Sequence, residues 1–162
     1  MPGLEDLYRE IILDHYRSPR NKGELPVPPA HRSEGFNPLC GDEIVVYLDV
    51  EDGIVRDIRI GGQGCSISQS SASMMSSAVK GKTIAEVKAL VRRFKAMMTV
   101  DDSPDGLDAA AQAVKLGDLE ALQGVQKFPV RIKCATLAWN TLLQGLEEIP
   151  GAADPQPDTF DI

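Results

Sequence analysis

Residues 43–60 carry two β-rich runs, EIVVYLDV and IVRDIRI, with only EDG between them. No other stretch restricts the fold as strongly. Two extended runs joined by so short an Asp-Gly linker return on themselves as an antiparallel hairpin. In the second run Ile54, Ile58 and Ile60 share one parity and Arg56 is the exception, which predicts one buried and one solvated face. Gly61, Gly62 and Gly64 follow, so the backbone turns sharply just before Cys65.

Helical spacing surrounds the hairpin. Leu4, Leu7, Tyr8, Ile11 and Ile12 predict a helix over 4–17, with Pro19 and Gly23 as stop signals. Pro26, Pro28, Pro29 and Pro38 make 24–38 read as an extended connector. After Cys65 the Ser- and Ala-rich text predicts a closely packed helix over 67–79, stopped at Gly81. Thr83 and Glu86 form a capping box for a helix over 84–96, made basic by Lys88, Arg92, Arg93 and Lys95; the basic stretch from Lys80 to Lys95 reads as a solvated helix face, with a docking surface as the second reading. Beyond the acidic DDSPDGLD, short helices are expected over 105–115 and 118–123. A last helix starts at Pro129, with Cys134, Leu137, Ala138, Thr141 and Leu142 on one stripe. The Pro- and Asp-rich text from Pro150 reads as a flexible tail, which leaves 1–149 as a single domain.

Composition narrows the function classes. The 162 residues suit one domain, and a hydrophobic fraction of 43% supports a core without disulfide staples. A net charge of -7 argues against nucleic acid or anionic membrane as the main partner. At 5% aromatic residues the chain lacks a base-stacking platform. No positively charged leader precedes an apolar core, and no apolar run approaches the roughly 20 residues of a membrane helix. A soluble cytoplasmic protein is expected, where cysteines serve as ligands, nucleophiles or core filler rather than disulfides.

The three cysteines are therefore the chemistry to explain. Cys40 enters a strand, Cys65 enters a helix, and Cys134 lies in the first turns of another helix. Asp42 stands two positions after Cys40, and in extended backbone such residues point the same way. Three thiolates and a carboxylate suit tetrahedral zinc, and Arg131 or Lys133 offers a cation to offset the excess negative charge. The competing reading is that the cysteines simply pack in the core, since no C-x-x-C pair is present. His15 reads as a helix-end cation and His31 as a solvated connector residue. Met74, Met75, Met97 and Met98 read as core.

Taken together, LYREIILDHYRSPRNKG, NPLCGDEI, GQGCSISQSSASMM and FPVRIKCATLAW resemble the IscU-like family of iron–sulfur cluster assembly proteins. The likeness runs to about residue 149 and is greatest to the SufU branch. Lys133 stands where the scaffold branch has histidine, and DDSPDGLDAAAQAVKLGDLEALQ is similar to the SufU insertion. Leu39 departs from the small polar residue common in relatives. The resemblance implies an α+β fold, a small antiparallel three-stranded sheet with helices packed on one face. It implies zinc held by Cys40, Asp42, Cys65 and Cys134, with a transient iron–sulfur cluster on the same ligands as the alternative. It further implies that Cys40 accepts persulfide sulfur from a SufS-type cysteine desulfurase, a desulfurase histidine taking its place at the metal. The sulfur then passes to a SufBCD-type scaffold. Arg131 is placed as the cation beside the ligands.

Overall fold

The computed structural model describes residues 4–27, 29–38, 41–98 and 116–149. In chain order the elements are α1 (Leu4–Arg17), β1 (His31–Asn37), β2 (Asp42–Glu51), β3 (Ile54–Gln63), α2 (Ser66–Val79) and α3 (Ile84–Met98). Among the described residues a 3-10 segment (Gly117–Lys127) and α4 (Pro129–Glu148) follow. The strands form one antiparallel sheet in the order β1-β2-β3. The expected α+β architecture with a three-stranded sheet is what the structure has.

The hairpin closes through Asp52 and Gly53, both at positive φ (55° and 74°), the two-residue turn whose twist matches that of the strands. Its parity differs from the expectation. The register slips between Asp49 and Val50, so Val50 faces Val55 while Asp49 faces Asp57. Arg56 is the extra residue of this β-bulge. Val55, Ile58 and Ile60 are buried, whereas Ile54 is exposed. The bulge turns Arg56 outward, where it pairs with Asp49 at 3.2 Å and with Glu51.

The connector reading also needs correction. Residues 31–37 form β1, which pairs with β2 from His31↔Leu48 to Asn37↔Asp42. His31, Ser33 and Gly35 carry little strand propensity of their own, so pairing with β2 decides their conformation. His31 is not simply solvated, because its Nε2 lies 2.7 Å from Glu148 Oε1.

Helices α2 and α4 pack on the sheet, and α1 packs on α2. The small side chains of α2 permit close approach, with Ser68, Ser70, Ser71, Ser73 and Ser76 all buried. Ser71 ties α2 to α4: its Oγ donates to Ala135 O at 2.6 Å and accepts from Trp139 Nε1 at 3.0 Å. Trp139 stacks on Phe94 of α3, ring centroids 4.3 Å apart. Met74, Met75, Met97 and Met98 lie in this core, as read. The Thr83–Glu86 capping box forms in both directions. The basic residues of α3 form no wholly solvated face, since Lys88, Arg93 and Lys95 are half-buried and Arg92 exposed. The 105–115 helix and the tail from Pro150 lie outside the described residues; in place of a helix over 118–123 the chain forms the longer 3-10 segment.

His15 is not an exposed helix-end cation. It is buried, its Nδ1 2.7 Å from Ser73 Oγ of α2 and its Nε2 3.6 Å from Asp118 of the 3-10 segment. Burial, reinforced by Arg20, pushes its pKa below the usual 6.5, although Asp118 and Asp14 act the other way. The folded protein therefore prefers the neutral imidazole. As pH falls below about 6.5 the unfolded chain gains a proton that the folded chain resists, so stability drops until the lowered native pKa is passed. The stability difference between wild type and His15→Gln, measured in denaturant, should shrink from about pH 7.5 to about pH 5.5.

Candidate metal centre

Three elements converge at one end of the sheet. Asp42 opens β2 and is fully buried (0% exposed). Cys65 is the N-cap of α2, in extended conformation and with no side-chain cap bond, so its sulfur is free to point elsewhere. Cys134 lies in the second turn of α4, also 0% exposed. One ligand atom from each can be chosen so that all three lie within 4.8 Å of one another.

A buried carboxylate needs partners. Asp42 Oδ1 accepts the backbone N–H of Cys65 at 2.9 Å, and its Oδ2 lies 3.9 Å from Cys65 Sγ. Gly64 leaves room for this arrangement. A Cβ there would stand 2.4 Å from Asp42 Oδ1 and 2.6 Å from Ser68 Oγ. Cys134 Sγ accepts a hydrogen bond from the amide Nδ2 of Asn37 at 3.8 Å. Asn37 also closes the loop between β1 and β2, its carbonyl accepting Gly41 N–H at 2.8 Å.

The structure thus brings together Asp42, Cys65 and Cys134 of the residues singled out in the sequence. Cys40, with Leu39, lies outside the described residues. Arg131 is exposed in the first turn of α4 and lines a cleft of about 780 Å³ with Arg9, Ile12, Leu13, Ile67 and Lys127. Exposed Phe128 and Val130 stand beside it in the chain. Sequence reasoning missed Asn37 as a participant. Its only sequence signal is its place three residues before Cys40.

The donor set can be tested against a metal by its chemistry. Bond lengths of about 2.3 Å to sulfur and 2.0–2.2 Å to oxygen place tetrahedral ligands roughly 3.5–3.8 Å apart. Asp42 Oδ2 and Cys65 Sγ already stand 3.9 Å apart, and all three donors lie within 4.8 Å of one another. Two thiols and a carboxylate are donors that zinc accepts, and a fourth is required.

A small three-stranded sheet and two helices that bring a carboxylate and two cysteines to one point define an α+β domain with a candidate metal centre. Residues 7–135 match the NifU-like N-terminal domain, and the chain belongs to that family. It is 45% identical over 148 residues to the zinc-dependent sulfurtransferase SufU of Bacillus subtilis, covering 91% of this chain and 95% of the relative. It is 39% identical over 149 residues to the iron–sulfur cluster assembly scaffold protein IscU of Streptococcus pyogenes, covering 92% and 88%. Among solved structures, a hypothetical protein at 39% identity superposes with a TM-score of 0.74 over 88% of this chain and 98% of that one. A protein described for the SUF system of the thermophile Fervidobacterium islandicum, 29% identical, gives the same score and coverage.

Because a Cβ at position 64 competes with the Asp42 carboxylate for space, Gly64→Ala is expected to lower metal affinity by about tenfold or more, in the range seen when groups that orient a ligand are disturbed. Competition with a chromophoric chelator measures this. An unchanged affinity would mean that the carboxylate does not bind.

Proposed function

We propose that this chain is a zinc-dependent sulfur-transfer protein of iron–sulfur cluster assembly, acting in the cytoplasm. It takes persulfide sulfur on Cys40 from a SufS-type cysteine desulfurase and delivers it to a SufBCD-type scaffold. The convergence of Asp42, Cys65 and Cys134 on one point carries the reading, and the likeness to the Bacillus sulfurtransferase supports it. In this reading Cys40 is the fourth ligand.

Bound zinc would keep the thiols deprotonated and protected from oxidation without adding redox chemistry of its own. The chain's residues do the rest. Cys134 is sealed in the core, and half-buried Cys65 is held beside Asp42 through its backbone N–H. Cys40 sits in the loop between β1 and β2. Its thiolate attacks the terminal sulfur of the desulfurase persulfide. A new S–S bond forms on Cys40, the old S–S bond breaks, and the desulfurase leaves as a thiolate. No outside oxidant is required. Arg131, exposed on the cleft, is assigned as the cation that offsets the anionic site.

The second reading is a scaffold on which an iron–sulfur cluster is assembled, favoured by the likeness to the Streptococcus scaffold protein. Three cysteines and an aspartate also suit a labile cluster. Protein purified without air separates the two readings: zinc without visible absorbance supports sulfur transfer, and iron with visible bands supports the scaffold.

Cys40→Ala is expected to abolish stimulation of the desulfurase, and Asp42→Ala to lower zinc content and transfer together. Retained stimulation by Cys40→Ala would defeat the assignment. Arg131→Ala should slow transfer severalfold; unchanged rate and zinc content would reduce Arg131 to a surface charge.

A further inference from the structure

Asn37 is buried at the end of β1 and makes two contacts with the ligand region, each from a different part of the residue. Its backbone carbonyl accepts Gly41 N–H, closing the loop that carries Cys40. Its side-chain amide points inward and donates to Cys134 Sγ, 97 positions away in the chain. In register it faces Asp42 across the β1–β2 ladder. One residue therefore bonds Gly41, lies opposite the carboxylate and bonds the sulfur of the fully buried Cys134.

We infer that Asn37 is a positioning residue that holds the Cys134 sulfur as the ligand that stays. Three thiolates and a carboxylate place more negative charge on a divalent cation than it neutralises. In a buried site that excess is costly unless polar donors spread it. An N–H donor aimed at one sulfur draws electron density from that sulfur alone. Cys134 then becomes the weaker nucleophile and a settled ligand. The acceptor role stays with Cys40, as proposed above. Groups that orient a ligand in this way are commonly worth 10- to 100-fold in metal affinity. The inference rests on the proposed zinc site and adds to it the reason that one of its thiols does not exchange.

The test uses the full chain and needs no desulfurase. Asn37→Ala and the near-isosteric Asn37→Leu both remove the amide and leave the backbone carbonyl that Gly41 uses. Zinc affinity is read by chelator competition, with expected losses of about 10- to 100-fold in both variants. Cobalt(II) is then substituted for zinc, and the thiolate-to-metal charge-transfer band is recorded. Losing the N–H donor raises the energy of the sulfur lone pair, so the band should move to longer wavelength. A residue that merely fills space would leave the band where it is. Wild-type affinity with an unmoved band in a folded variant would overturn the inference. So would unfolding of both variants with zinc present, since the amide would then serve the fold rather than the ligand. If instead wild type binds zinc no more tightly than Cys134→Ala, it is the zinc reading itself that fails.

Discussion

The arrangement turns on a carboxylate that has been removed from water. Asp42 is fully buried, and an uncompensated charge in such a place costs several kcal/mol. Its oxygens take what the fold provides: the Cys65 N–H on one side and the Cys65 sulfur nearby on the other. With two thiols gathered around it, the site offers the donor atoms that a divalent cation accepts. The start of β2, the start of α2 and the second turn of α4 must all meet there, which fixes how the layers stack.

That meeting depends on how closely helices can approach. The buried serines of α2 let α1 and α4 lie against it with little side-chain bulk between them. Ser71 alone links the Ala135 carbonyl and the Trp139 indole, locking α4 in register one residue beyond Cys134. On the other side of α2, Ser73 accepts Arg20 N–H and contacts His15, which anchors α1. Hydrogen bonds of this kind each contribute only about 1 kcal/mol, yet they decide rotation and offset where apolar contact alone would permit sliding. Ligand placement is thus inherited from polar contacts in the core.

Much of this was legible in the linear text. The helices near 4–17, 66–79, 84–98 and 129–148 announce themselves through spacing, capping residues and Pro129 at a helix start. The hairpin is announced by Asp52-Gly53. Two local features were not readable. The bulge at Arg56 takes Ile54 off the buried face and puts Val55 there, because parity counting assumes an uninterrupted ladder. The strand His31–Asn37 has a weak propensity and becomes a strand only because β2 offers it an edge. His15 differs in the same way: its position near a helix end suggests a dipole partner, while its surroundings make it a neutral buried group.

By itself the sequence determined the donor types, their attachment to a strand start and two helix starts, and a family likeness that implied their use. These follow from local rules, since spacing, glycine and capping residues act over a few positions. Only the tertiary structure decided that Asp42, Cys65 and Cys134 share a point, that Asn37 from another strand bonds one of the sulfurs, and that Arg131 faces a cleft. Those facts join residues up to 97 positions apart. Their contact is set by the packing of whole elements, which no short stretch of chain encodes.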